Sequence, residues 1–430
     1  MKIALVIERF FPSEGGNERS TAQIAERLIR RGHDVTVLTA AAPDGPVVAG
    51  ATLDVAGWAI NPKRAIGLLR FVRWAEHRID RGDFDVSLSM TLAVAAHLVQ
   101  PRSGTVRQTL AANIARRPTA AQRRLKRAAV AFNPKQLALL WTERRTFAHP
   151  RVEKIIAISR FVADQLFHHY TVPSRRIEMI PNAASVRAMD ADERARLREE
   201  VRRQWRIGDA DVAFVFAAIN ARLKGLGELL EAFARLRQRQ PRAVLMIAGT
   251  REPWALRQAE RLDLNDALRW VGPTNRMDAL YTGADVTVLP TWYDPSSKVV
   301  LESLLHGVPA ISTAFNGASQ WIADPRRGQA DTSPLSTAPA DDEPTPHRPD
   351  DAPADDAPPV EPAPAGIVVS RPDAIDELTD AMARLCDADF RQRCADAARA
   401  GLDPRLDMDR HVERLEAVLR QVADRSGIAG

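Results

Sequence analysis

Short β-branched runs alternate with amphipathic helical stretches along most of this chain. KIALVIE opens it, a loop follows, RSTAQIAERLIRR repeats apolar positions at helical spacing, Gly32 stops that helix, and DVTVLTA reads as the next strand. This order predicts a βαβ unit with parallel strands. DVSLSM (85–90) and KIIAIS (154–159) are further strands, the second leading into the helix RFVADQLFHHY. The turn-rich VPSRRIEMIPNAAS reads as a crossing between domains. A second series begins at VAFVFAAIN (212–220) and continues through AVLMIAG (243–249), LRWVG (268–272), VTVLP (286–290) and VPAIS (308–312), with helical segments between. Two doubly wound α/β domains are expected, with ligands beyond the carboxyl ends of the strands and the site between the domains.

The pattern breaks between about 329 and 365, where DEPTPHRPDDAPADDAPPVEPAPA holds almost no large apolar residue and reads as a disordered acidic insertion ahead of the strand IVVS. The expected division is residues 1–182 for the first domain and 183–402 for the second. Residues 403–430, with LDMDRHVERLEAVLRQV, form a last helix expected to return to the first domain.

Composition narrows the class. At 430 residues and 45% hydrophobic content, two cores are natural. The net charge of +5 understates a basic body, because the acidic residues gather near 340–361. Two cysteines, Cys386 and Cys394, suit a reducing compartment and exclude a disulfide framework or a multi-cysteine metal site. The first residues lack a cleavable signal pattern and no apolar run approaches a bilayer span, so the expected location is the cytoplasm, with membrane contact peripheral at most.

Three segments carry candidate chemistry. In FFPSEGGNERS, Gly15 and Gly16 precede a helix whose free amides suit a diphosphate, although a Gly-Gly turn is as often a plain connector. In NARLKG (220–225), Arg222 and Lys224 stand between strand and helix, where cations can neutralise a leaving diphosphate or simply be solvated. In TWYDPSSKVVLESLLHGVPAIST, Asp294 lies just past a strand and Glu302 eight residues on, slightly over two helical turns. The loop acid can face a sugar, the helix acid can accept two hydrogen bonds from a ribose diol, and the amides around Ser296 and Ser297 can meet an anion. The alternative for Glu302 is a helix surface, which the apolar LLHGVP argues against.

Asp294-x7-Glu302, followed by HGVPAIST and NGAS, resembles the E-x7-E signature of glycosyltransferase family 4. IIAISRFVADQL, IEMIPNAAS, NARLKG and GGNER resemble other segments of that family, so the likeness spans almost the whole chain except the acidic insertion. Within it, the chain is most similar to lipopolysaccharide core glucosyltransferases, partly through SMTLAVAAHLVQPRSG. The resemblance implies a GT-B architecture, two Rossmann-like domains facing a cleft. It also implies a retaining transferase that moves a hexose from a nucleotide sugar, taken as a UDP-sugar, to a lipid-linked, lipopolysaccharide or polysaccharide acceptor. In that reading Glu302 holds the donor ribose, Asp294 contacts the transferring sugar, and Arg222, Lys224 and Ser297 meet the diphosphate. Gly15 and Gly16 face the diphosphate from the other domain, and Asn316 and Gly317 close the same pocket. No metal or other cofactor is expected.

Asp294 is one methylene shorter than the family's usual glutamate. His97 stands where the related enzymes carry an aspartate near the reacting sugar, and it reads as a base, a sugar-hydroxyl partner or a structural histidine. Residues 107–127 hold Arg107, Arg116, Arg117, Arg123, Arg124, Lys126 and Arg127 among Leu and Ala, which suits an anionic membrane or a solvated face. Few aromatics interleave there, so nucleic acid is not an expected partner. A Rossmann oxidoreductase is disfavoured by the missing G-x-G-x-x-G. A non-catalytic nucleotide-sugar binder and a sugar-nucleotide epimerase on the same scaffold remain as alternatives.

Overall fold

The computed structural model describes residues 1–57, 64–324 and 363–425. The first part of the chain runs β1 (Lys2–Ile7), α1 (Gly16–Arg30), β2 (Asp34–Thr39), β3 (Thr52–Val55), α2 (Ala65–Arg81), β4 (Val86–Ser89), β5 (Leu98–Val99), α3 (Val106–Ala115), α4 (Ala120–Ala131), α5 (Pro134–Ala148), β6 (Lys154–Ala157), α6 (Arg160–Tyr170) and β7 (Ile177–Met179). The second runs α7 (Ala191–Gln204), β8 (Val212–Ala217), α8 (Leu226–Arg239), β9 (Ala243–Ala248), α9 (Pro253–Arg261), β10 (Leu268–Gly272), α10 (Met277–Gly283), β11 (Val286–Leu289), α11 (Lys298–Leu305), β12 (Ala310–Thr313), α12 (Ser319–Ala323), β13 (Gly366–Val369), α13 (Ile375–Cys386) and α14 (Ala388–Gly401). The helix α15 (Met408–Arg425) follows.

Both sheets are parallel, with strand orders β3-β2-β1-β4-β5-β6-β7 and β10-β9-β8-β11-β12-β13. The central strands β1 and β9 are almost wholly apolar because helices cover both faces. In α1, Ile24, Ala25 and Leu28 form the buried stripe that seats it on the sheet, and Gly32, at φ +84°, turns the chain into β2.

Three strands are too short or too plain to be read from the sequence. The edge strand β3 exposes both ends, β5 has two residues, and β7 lies inside the segment expected to be a crossing. Ile177–Met179 instead pairs with β6, Ile155 opposite Ile177. The acidic insertion falls almost entirely outside the described residues. Its last residue, Ala365, is fully buried, and its amide donates to the Ile322 carbonyl at 2.8 Å.

Helix α15 lies against α1. Met408, Val412, Leu415, Leu419 and Val422 recur at helical spacing and enter the same core as Ile3, Leu5, Ile24 and Leu28. Each such burial contributes about 1.5–3 kcal/mol. At its polar margin Arg27 pairs with Asp409 at 2.7 Å and His33 with Glu416 at 2.9 Å. No helix among the described residues is long and apolar enough to cross a membrane.

Candidate functional site

In each sheet the chain reverses its direction of progress at one place, between β1 and β4 in the first and between β8 and β11 in the second. Loops leaving the carboxyl ends of such neighbouring strands diverge and open a crevice. In the first sheet these loops bring Glu8, just past β1, to Thr91, just past β4, whose hydroxyl donates to the Glu8 carboxylate at 2.8 Å. Burial raises the Glu8 pKa, with the Thr91 hydroxyl and the charge of Lys135 opposing it. The two residues line a pocket of about 510 Å³ together with Asn17, Arg102, Asn113 and Gln136.

In the second sheet the loop after β8 brings Lys224 to Asp294 in the loop after β11. Their ion pair is 2.6 Å long, and Lys224 also donates to the Tyr293 carbonyl at 3.0 Å. Gly225 permits this approach: at φ +80° it lies so close to β11 that a Cβ would sit 1.9 Å from the Pro290 carbonyl oxygen. The other carboxylate oxygen of Asp294 accepts the Ser296 amide at 3.1 Å. Arg222 turns the other way and stacks over Trp254, 4.1 Å from the ring centroid. The structure therefore brings Lys224 and Asp294 together and sets Arg222 apart from them.

Asn316 and Gly317 brace this loop from behind. The Asn316 carboxamide oxygen accepts the amides of Ser297 (3.1 Å) and Ala318 (3.0 Å), while its nitrogen donates to Ser312 at 2.9 Å. The Gly317 amide donates to the Asp294 carbonyl at 2.9 Å, and a Cβ there would lie 2.0 Å from the Pro295 carbonyl oxygen. Ser297 caps α11. The amides of Lys298 and Val299 then have no intrahelical partner, and the positive end of the helix faces the seam between the domains.

Glu302 follows Lys298 by one helical turn on the same face. Burial raises its pKa against the opposing charge of Lys298, and the Tyr281 hydroxyl donates to it at 3.1 Å. Burial first, and then the charge of Arg102, lowers the pKa of Lys298. Its amino group crosses to the first domain and donates to Gln23 of α1 at 3.2 Å.

The loop around the first of these acids, Asp294, is also the seam itself. The Tyr293 hydroxyl accepts the Thr105 amide and donates to Gln165, both at 3.0 Å. The Pro295 carbonyl accepts from Ser159 at 2.5 Å and the Ser296 carbonyl from Asn182 at 2.8 Å. The stretch from Tyr293 to Ser296 thus joins the domains while it holds Asp294 beside Lys224.

Of the paired glycines, Gly16 has nothing within 4 Å of an added Cβ, whereas the Glu18 carboxylate folds to within 2.1 Å of a Cβ at Gly15. His97 is corrected. It precedes β5 at the amino edge of the first sheet, opposite the edge where the crevice opens. Its Nδ1 accepts the Ser87 amide at 3.2 Å, and burial and Arg151 lower its pKa. It fastens β4 to β5. Sequence reasoning passed over Glu8, Arg102, Tyr281, Tyr293 and Lys298. Lys298 carried a legible signal, a cation at the first position of a helix. Among the described residues no cluster of three or more His, Cys, Asp or Glu could hold a metal ion.

Residues 14–187 match the family described as Glycosyltransferase Family 4, and residues 198–330 match the one described as Glycosyl transferases group 1. Glycogen synthase of Mycobacterium tuberculosis is 32% identical over 146 residues, covering 32% of this chain and 33% of that protein. Lipopolysaccharide glucosyltransferase WaaG of Escherichia coli is 24% identical over 197 residues, covering 45% and 52%. The chain thus spans about half or less of the length of these curated relatives. Over the whole fold, the WaaG crystal structure superposes with a TM-score of 0.73 at 16% identity, covering 97% of this chain and 99% of that one. Anabaena HepE, solved in complex with UDP and glucose, superposes at 0.64 with 14% identity, covering 98% and 100%. The chain thus carries a Glycosyltransferase Family 4 domain followed by a Glycosyl transferases group 1 domain, on two parallel sheets with the GT-B fold.

Proposed function

We propose that this protein moves a hexose from a nucleoside diphosphate sugar, with UDP as the first nucleotide to test, onto a glycan or lipid-linked glycan with retention of configuration. The observation that carries the reading is the meeting of two switch-point crevices across one seam. The second sheet contributes Lys224, Asp294 and the start of α11, and the first contributes the Glu8–Thr91 pocket. As the glycosidic bond breaks, negative charge grows on the departing diphosphate. Lys224, held in place by Asp294, and the free amides of α11 meet that charge. Glu302 accepts hydrogen bonds from the ribose diol. An acceptor hydroxyl entering the pocket beside Glu8 reaches the same face of the sugar that the diphosphate leaves, and the phosphate takes its proton. No step in this reading uses a metal.

The name of the relative WaaG and the bound UDP and glucose of HepE support the donor and acceptor classes. An anionic membrane is the proposed setting. Helix α4 buries none of its residues. Leu125 and Phe132 stand out into solvent, with Leu137 and Trp141 exposed on the adjoining α5 and Arg124 and Arg127 among them. Each cation near an anionic surface contributes about 1 kcal/mol, and the apolar side chains add burial. The test is nucleoside diphosphate release from UDP-, GDP- and ADP-sugars with membrane extract as acceptor, comparing wild type with Glu302→Ala and Lys224→Ala. Acceptor-dependent release from one donor, lost in both variants, supports the reading, whereas binding without turnover makes the protein a nucleotide-sugar binder. Flotation with phosphatidylglycerol vesicles, abolished by Leu125→Glu with Phe132→Ser, tests the membrane setting.

A further inference from the structure

Lys298 and Arg102 are cations in places that disfavour cations. Lys298 opens α11, where unpaired amides already present positive charge. It is half-buried, and its amino group has the neutral carboxamide of Gln23 for a partner. Glu302, the nearby acid, is held by the Tyr281 hydroxyl and forms no ion pair with it. Arg102 is 8% exposed and donates to the carbonyl oxygens of Gln100 (3.0 Å) and Asn182 (2.7 Å), again neutral groups. Among the described residues neither cation forms an ion pair, whereas buried charges are ordinarily compensated by opposite ones. Arg27, close by on α1, has Asp409 for that purpose.

The two cations also share a place. Arg102 lines the pocket of the first domain, and the Asn182 that holds it binds the Ser296 carbonyl two residues before Lys298. The positive charge of Arg102 is felt at Lys298, and burial together with that charge depresses the lysine's proton affinity. An anion at the seam would relieve the helix end, the burial and the mutual repulsion at once.

We propose that Lys298 and Arg102 form an oxyanion subsite at the domain seam, and that an entering phosphate or carboxylate group draws Lys298 away from Gln23. The subsite rests on the transferase reading only for the source of the anion, which is either the donor diphosphate or an acidic group on the acceptor.

The experiment is equilibrium titration of inorganic phosphate and of UDP, GDP and ADP into the full chain, as wild type, Lys298→Met and Lys298→Arg, each checked for an unchanged melting temperature. Lys298→Gln replaces the methionine variant if that one does not fold. Phosphate binding weakened at least about tenfold by Lys298→Met and largely kept by Lys298→Arg is the expected result, the scale of one charge-assisted hydrogen bond. If saturating UDP abolishes phosphate binding to the wild type, the diphosphate is the anion; if phosphate still binds, the acceptor supplies it. Lys298-dependent phosphate binding in a wild-type chain that binds none of UDP, GDP and ADP keeps the subsite and removes the transferase reading. Equal phosphate binding by wild type and Lys298→Met, or no binding by the wild type, overturns the subsite.

Discussion

The Lys224–Asp294 pair permits a separation of folding from catalysis. In Lys224→Met, Asp294 keeps only the Ser296 amide at 3.1 Å as a partner, and its side chain is 11% exposed against 21% for the lysine. An exposed pair contributes roughly 0–1 kcal/mol, whereas breaking a buried one costs roughly 3–5 kcal/mol. This partly buried pair falls between, at about 2–4 kcal/mol. Adding Asp294→Asn removes the stranded charge while its side-chain oxygen still accepts the Ser296 amide, so the double variant should regain more than half of that loss. Urea unfolding followed by the fluorescence of the adjoining Trp292 measures the recovery. Turnover should not follow it. A preorganised donor to a developing oxyanion is worth about 10²–10³ in rate, and neither methionine nor asparagine replaces the cation. Both Lys224→Met and the double variant should therefore lose nucleoside diphosphate release by that factor. If the double variant regains turnover along with stability, Lys224 acts through the fold alone, and its assignment to the diphosphate is wrong.

Glu302→Gln should weaken UDP binding about 10–100-fold, the range of a hydrogen bond to a charged acceptor, with unchanged affinity in calorimetry counting against the ribose assignment. Acid should destabilise the protein through His411, which is fully buried, donates to the Pro181 carbonyl at 2.7 Å, and has its pKa lowered to about 3 by burial and by Arg102. The unfolded chain takes up that proton first, so stability falls by up to about 1.4 kcal/mol per pH unit below the ordinary histidine range. Denaturant midpoints should show a shallower fall in His411→Gln. Glu416, driven down to about 2 by Arg420, Arg31 and His33 in spite of burial, adds a loss in the same direction at lower pH. Gly225→Ala should cost at least about 1–3 kcal/mol, because φ +80° and the Pro290 oxygen leave no room for a Cβ, whereas Gly16→Ala should leave the melting temperature unchanged.

Much of the architecture was legible because hydrophobic period is a local property. Ten of the strands read as β-branched runs, and the loops after β1, β8 and β11 could be singled out because ligands gather at the carboxyl ends of parallel strands. The short strands β3, β5 and β7 escaped notice since they owe their conformation to neighbouring strands rather than to their own residues.

The site divides in the same way. Lys224, Asp294, Ser297 and Glu302 lie within motifs whose spacing already places them on a loop and the helix behind it. Whether a side chain faces ligand, partner or scaffold depends on groups far away in sequence. Asn316 resembled a pocket wall and is a brace, because its carboxamide is consumed by Ser297, Ala318 and Ser312. His97 stood in a suggestive stretch, yet the direction of β5 carries it to the edge away from the crevice. Glu8 and Thr91, 83 residues apart in the chain, meet only because β4 inserts beside β1. The residue pattern was enough to determine two parallel sheets and the loops that carry the chemistry, since periodicity needs only near neighbours in the chain. Strand order and domain docking decided which side chains converge, because a distance between remote residues is set by packing the whole molecule.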